Sequence, residues 1–305
     1  MKEIKKYTDV IRYGKSSTEG VIQEGDIISI TEKIDFSNAS FRLDEENILG
    51  VSCYSRNKPL DEHNTLNGFY NWVVDNIVPI KDKLNPSYIY YGEWAGAKHK
   101  VLYKPEVMKR FWTFSVWDME TKQYLSDEVV ISEAKRLNLD TVPYFYIGKF
   151  ISFEHLMSFV GKSDMTLEPN RGEGIVVKNV NYFDNNGKQM FVKLVSEKFA
   201  EVQKQRLPKN PNVDTKVIEL VKSVLTKPRV EKIMYKLADE GLLKVDYSIE
   251  DMGIILKSIG SKVYEDIMKE ESDLFTEYEE DKIKRICGKN LPNVVKSILK
   301  EQGRI

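Results

Sequence analysis

The chain has 305 residues, 41% hydrophobic and 30% charged, the balance of a soluble globular protein with a real core. Lys and Arg number 46 against 47 Asp and Glu, so the net charge of -1 excludes bulk basicity as a basis for nucleic-acid binding, and any such surface must be a local groove. Two distant cysteines, Cys53 and Cys287, exclude a disulfide scaffold, and the scattered His63, His99 and His155 give no zinc spacing.

The start of the chain, Met1-Lys2-Glu3-Ile4-Lys5-Lys6, has no apolar signal core, and no apolar run reaches the roughly 18 residues of a membrane span. The expectation is a cytoplasmic protein, or one of a phage-infected host cytoplasm, monomeric and without a membrane partner. Up to about residue 205 the texture is mixed. Runs rich in Tyr, Phe, Val and Ile predict strands over Asp26–Thr31, Ala39–Leu43, Tyr88–Trp94, Phe111–Val116, Tyr144–Phe150, Gly174–Lys178 and Met190–Val195. Helical spacing of Leu66, Phe69, Tyr70, Val73 and Ile77 predicts a helix over about Leu66–Val78, with others over Glu128–Leu137 and Phe153–Val160. Asn185-Asn186-Gly187 predicts a hairpin turn, because Asn and Gly tolerate positive φ.

Leu207-Pro208-Lys209-Asn210-Pro211 predicts a linker. Beyond it only helical periodicity remains, in Val217, Leu220, Val221, Val224 and Leu225, then Val230, Ile233, Met234 and Leu237 before Gly241, then Ile254, Ile255, Ile259, Val263 and Ile267. The predicted domains are therefore 1–207 and an all-helical 208–305.

Lys33 follows a predicted strand in Thr31-Glu32-Lys33-Ile34-Asp35-Phe36-Ser37-Asn38. A lone lysine at a strand end is ordinarily a solvated charge. This one is followed in order by Arg56, by Gly92-Glu93-Trp94-Ala95-Gly96, by the aromatic strand Phe111 to Asp118 containing Phe114 and Trp117, by Arg171-Gly172-Glu173-Gly174-Ile175-Val176-Val177-Lys178, and by Lys193 with Ser196, Lys198 and Phe199. Each element is weak by itself, since aromatic strands are usually core and strand-end charges usually solvated. The ordered series over about 160 residues carries the signal.

That series resembles motifs I, Ia, III, IIIa, IV and V of the covalent nucleotidyltransferases, the superfamily of ligases and mRNA-capping enzymes. The likeness covers roughly residues 25–205 and is greatest to the RNA ligase 2 branch, which includes the T4 enzyme and the RNA-editing ligases. It implies an α+β fold with two antiparallel-rich sheets forming an ATP cleft, followed here by a small helical domain in place of an OB-fold barrel. It implies an ATP-dependent RNA ligase that joins 3′-hydroxyl and 5′-phosphate ends, with RNA ends as partner and a nicked duplex among the candidate substrates.

The resemblance also implies roles. Lys33 is the nucleophile that forms lysyl-AMP. Glu173 is the carboxylate beside a magnesium or manganese ion, and Lys193 contacts the α-phosphate. Glu93 binds the ribose. Phe114 stacks on adenine, with Trp117 as the register alternative. Glu32, Ile34 and Lys178 contact the nucleotide, Asn38 positions the nucleotide or the 3′-hydroxyl end, and Arg56 binds phosphate at the polynucleotide end. The residue chemistry agrees: an amine attacks phosphorus only when unprotonated, and a divalent ion both favours that form and neutralises triphosphate charge. Lys98, Lys100, Lys104, Lys109 and Arg110, with Tyr103 and Phe111, could line the polynucleotide path or form a solvated loop.

Two positions depart from the pattern. Phe36 stands where motif I has glycine, and Val195 where motif V has a second lysine, unless Lys198 or Lys178 substitutes. A capping-type guanylyltransferase using GTP, and a degenerate module that binds nucleotide or RNA without catalysis, are the alternative readings.

Overall fold

The computed structural model describes residues 5–97, 99–184, 186–196 and 213–305. The chain divides into two compact units, 1–196 and 197–305. The linker expected at 207–211 and the expected boundary at 207 lie outside the described residues, as do Lys98, Asn185, Lys198 and Phe199.

The first unit holds two sheets. In one, β1 (Val10–Arg12), β2 (Ile27–Lys33), β9 (Tyr144–Lys149), β10 (Gly174–Phe183) and β11 (Gln189–Val195) lie in the order β1-β11-β10-β2-β9. Only β1 against β11 is parallel in this sheet. The other sheet orders β4 (Val51–Ser55), β3 (Ser37–Leu43), β5 (Tyr88–Trp94), β6 (Phe111–Asp118) and β7 (Gln123–Tyr124), with β8 (Asp140–Thr141) added parallel to β6. The seven sequence-predicted strands are β2, β3, β5, β6, β9, β10 and β11.

Alternation assigns the faces. In the first sheet Ile28, Ile30, Ile175, Val177, Val192 and Leu194 point into one apolar core. In the second, Ala39, Phe41, Tyr90, Trp94 and Phe111 pack under α1 (Phe69–Asn76) and α2 (Asp127–Leu137), through Phe69, Val73, Val130 and Leu137. The opposite faces of the two sheets meet at an aromatic cluster containing Tyr7, Tyr91, Tyr124 and Phe191. Ser29, Thr31, Lys33, Val176, Lys178 and Lys193 share that face of the first sheet by register. The expected helices appear as α1, α2 and α3 (Phe153–Met157). The expected hairpin joins β10 to β11, with Gly187 at φ 71° and the Asp184 amide donating to the Lys188 carbonyl at 2.8 Å.

The second unit is helical among its described residues: α4 (Val213–Val224), α5 (Lys227–Asp239), α6 (Met252–Glu271) and α7 (Glu280–Glu301). Val221, Met234, Ile259, Val263, Val295 and Ile298 fill its core. Thr226 caps α5, and Gly241 ends it at φ 66°. Arg229 is wholly buried in this core, held by the Val224 carbonyl at 2.7 Å, Glu271 at 3.0 Å and Asp266 at 2.9 Å. A buried guanidinium is tolerable only with such partners. No described helix is long and apolar enough to cross a membrane.

Candidate active site

Lys33 is the last residue of β2, and the connection Ile34–Phe36 carries the chain from one sheet directly into β3 of the other. Its Nζ donates to Glu173 Oε2 at 2.5 Å, across 140 positions of sequence. The register explains the meeting. Lys33 pairs with Gly174 on β10, so Glu173, one residue earlier, emerges beside the end of β2. Gly174 in turn pairs with Val195 on β11, and a Cβ at position 174 would overlap the Leu194 carbonyl oxygen and stand 2.8 Å from Val195 Cα. Only glycine lets the strands approach this closely beside Glu173.

The next row inward reads Thr31, Val176, Lys193 and Arg12 across four strands. Lys193 is buried. Val195 occupies the same row as Lys33 and Gly174, so the lysine expected there would have stood directly in line with Lys33. Arg12 brings a second basic residue next to Lys193. Sequence reading passes over it because β1 is only three residues long and pairs with the far end of the unit; the sole signal was an arginine after Val10-Ile11.

The second sheet contributes Asn38 and Glu93, which are cross-strand partners on β3 and β5. Gly92 precedes Glu93 at a register shift between β5 and β6, where a Cβ would come within 2.7 Å of the Trp112 carbonyl oxygen. Glu93 Oε2 is sealed from water and makes no hydrogen bond among the described residues. Burial pushes its carboxyl up to about 8; Lys33 and His99 counter the rise, while Asp35 and Glu173 add to it. Glu93, Lys33, His99, Asp35 and Glu173 thus form one electrostatic group. A sealed acceptor without a donor is suited to a hydroxyl-bearing ligand.

Glu32 is placed differently. Successive strand residues point to opposite faces, so its side chain leaves Lys33 and enters the apolar side of the sheet, where it is 2% exposed. Neither oxygen makes a well-formed hydrogen bond. Burial pushes the carboxyl up to about 7, Ser163 beside it holds it down, and Asp164 raises it further. Only its backbone remains on the Lys33 side. Ile34 is buried.

Phe114 packs edge-on against Tyr7, with ring centroids 4.8 Å apart. Trp117 has Lys5 Nζ 3.9 Å above its ring and Tyr124 4.7 Å away, so the two aromatic candidates stand in different settings. Lys178 lies on the Lys33 face by register, but its ammonium is committed: it is 3% exposed and donates to Asp127 at 2.5 Å and to the Phe114 carbonyl at 2.6 Å. Ser29 and Tyr144 donate to the same Asp127 carboxylate. Lys178 therefore ties the two sheets together beneath Phe114 and is not a ready substitute for the missing charge at Val195. Arg56 pairs with Asp9 at 2.5 Å. Of the predicted basic path, Arg110 pairs with Asp140 at 2.9 Å.

Phe36 sits in the Lys33–Ser37 connection without positive φ. It is buried, with its ring 4.3 Å from that of Tyr103 and 6.2 Å from that of His99.

A family model described as RNA ligase matches residues 26–195, more than half of the chain and the span from β2 to β11 that holds Lys33, Glu93, Glu173 and Lys193. The chain belongs to the RNA ligase family. Among solved structures this family member is similar to Naegleria gruberi RNA ligase with pyrophosphate, at 20% identity and a TM-score of 0.48 over 64% of this chain and 57% of that one. A variant of the same Naegleria enzyme with ATP and manganese gives 20% and 0.47 over the same shares. Another with AMP and manganese gives 18% and 0.44, again over 64% and 57%. The match thus spans less than two thirds of those chains. No curated protein matches.

Proposed function

We propose that this RNA ligase family member is an ATP-dependent ligase of the RNA ligase 2 branch, joining 3′-hydroxyl and 5′-phosphate RNA ends through a lysyl-AMP on Lys33. One observation carries the reading: the Lys33 amine meets Glu173, with Lys193 one row away on the same face and Glu93 opposite, all within a span that matches the family model.

In the first step the Lys33 nitrogen bonds to the α-phosphorus of ATP, the bond to the β-phosphate oxygen breaks, and pyrophosphate leaves. Lys193 stabilises the charge that grows on the α-phosphate oxygens. Glu93, when ionised, accepts hydrogen bonds from the ribose hydroxyls, and Phe114 stacks on adenine. AMP then passes to a 5′-phosphate oxygen, restoring the Lys33 amine. Finally the 3′-hydroxyl oxygen attacks the activated phosphorus and AMP departs. The residues mostly position and neutralise, as phosphoryl transfer requires.

The donor set fits a hard divalent cation, because magnesium is commonly held by one or two carboxylates together with substrate phosphates. Glu173 would hold it, and the ion would favour the neutral amine and screen the triphosphate.

The test is incubation with labelled ATP and magnesium or manganese, followed by denaturing electrophoresis. A protein–AMP adduct is expected from the unmodified chain and none from Lys33→Ala. An adduct that survives in Lys33→Ala removes the nucleophile assignment, and a preference for GTP would select the guanylyltransferase reading.

A further inference from the structure

The short connection between Lys33 and β3 is clamped by His99 and Tyr103, from the stretch that the sequence offered as a polynucleotide path or a solvated loop. The Asp35 backbone N–H donates to the Tyr103 hydroxyl at 2.7 Å. The Phe36 ring lies 4.3 Å from the Tyr103 ring. His99 Nδ1 stands 3.5 Å from Asp35 Oδ1, and both His99 and Tyr103 are buried. Two of the three residues between Lys33 and Ser37 are thereby held, Asp35 through its backbone donor and its carboxylate and Phe36 through its ring.

The same segment is fixed to the approach to Glu173. Tyr103 bridges Thr166, with the Lys104 amide donating to the Met165 carbonyl at 2.9 Å and the Leu167 amide donating to the Leu102 carbonyl at 2.9 Å. From there the chain runs a few residues to Gly172, whose amide donates to the Gly161 carbonyl at 3.0 Å, and so to Glu173. The nucleophile's connection and the chain leading to its partner carboxylate are therefore registered against one residue.

We infer that Tyr103 is a positioning residue for the first chemical step, holding the Asp35–Phe36 connection so that the Lys33 amine stays aimed beside Glu173. The inference rests on the ligase reading above. Phe36 makes the clamp necessary: without positive φ or a bare backbone, the connection is shaped by what its ring packs on, and that is Tyr103.

The test uses the full chain and Tyr103→Phe, which keeps the ring under Phe36 and removes only the acceptor for the Asp35 N–H. Leaving that donor unsatisfied should slow lysyl-AMP formation at saturating ATP by about tenfold, with KM for ATP within about twofold of the parent. Sealing of a chemically pre-adenylylated 5′-phosphate RNA, which bypasses Lys33 attack, should fall by less than about threefold. An unchanged adduct rate overturns the inference. Equal loss in both assays, or a KM effect without a rate effect, assigns Tyr103 a general structural or binding role and also overturns it. The parent protein in the same assay keeps the two readings apart: no adduct from the parent overturns the ligase function itself. Should Tyr103→Phe prove poorly folded by its near-ultraviolet spectrum, Phe36→Leu, which removes the ring packed on Tyr103 and keeps the Tyr103 hydroxyl, must show the same selective loss of adduct rate; an unchanged rate from a folded Phe36→Leu rejects the positioning role.

Discussion

Replacing Glu32 by glutamine should stabilise the first unit above neutral pH and make little difference in acid. The carboxyl is 2% exposed on the apolar side of β2, makes no well-formed hydrogen bond, and titrates at about 7 instead of 4.5. The folded protein therefore holds this proton more tightly than the unfolded chain does. Its contribution to stability is full below about 4.5, declines as pH rises toward 7, and is gone above that. At about 1.4 kcal/mol per pH unit, the span from 4.5 to about 7 amounts to about 3 kcal/mol. Most of it, about 2.5 kcal/mol, falls between pH 5 and pH 8. Glutamine preserves the shape and removes the ionisation; burying its amide carries a cost that does not depend on pH. The informative quantity is therefore the pH dependence of the difference between parent and variant. Urea unfolding followed by tryptophan fluorescence reports on the right unit, because Trp72, Trp94, Trp112 and Trp117 all belong to it. The advantage of Glu32→Gln over the parent should grow by about 2.5 kcal/mol from pH 5 to pH 8. Parallel profiles would show that Glu32 is solvated or paired in solution and refute the reasoning. The variant should still form the proposed lysyl-AMP, since the side chain points away from Lys33.

Two further outcomes follow from the site. Burial pushes the Glu93 carboxyl up to about 8 and, in its proposed role, it would accept ribose hydroxyls better when ionised, so KM for ATP should fall as pH rises through about 8. Glu93→Gln should abolish that dependence and raise KM by about tenfold; a retained pH dependence would assign the titration to another group. Gly174→Ala should lower the adduct rate by about a hundredfold or more, because β10 and β11 must part and carry Glu173 and Lys193 out of register with Lys33. Near-normal rates in a folded Gly174→Ala protein would mean that the close approach is dispensable.

The long strands were legible because their alternation is strong. Gly174–Lys178 and Met190–Val195 have one wholly apolar face, and that pattern alone specifies which side carries Lys193. The short strands were not. β1, β7 and β8 have three, two and two residues, too few for a period, and owe their conformation to neighbours distant in sequence. Arg12 was lost with β1. Partner choice was equally hidden. Lys178 shares the Lys33 face, which suits a nucleotide contact, yet Asp127 at the start of α2 takes its charge from 51 positions away. Arg56 is held by Asp9 in the same way.

Phe36 shows how a departure from a pattern can be visible while its compensation is not. A glycine would let the backbone between Lys33 and β3 choose its own turn. A phenylalanine transfers that choice to tertiary packing, and the packing partner lies 67 positions downstream. The sequence around Lys33 contains no trace of Tyr103, because the hydroxyl that receives the Asp35 N–H comes from a loop whose own anchor is the stretch before Glu173. The order of motifs along the chain can therefore single out Lys33 as the proposed nucleophile, but the precision with which it is aimed depends on contacts between segments that no local pattern links. The rate of lysine adenylylation in Tyr103→Phe measures that second contribution separately from the first.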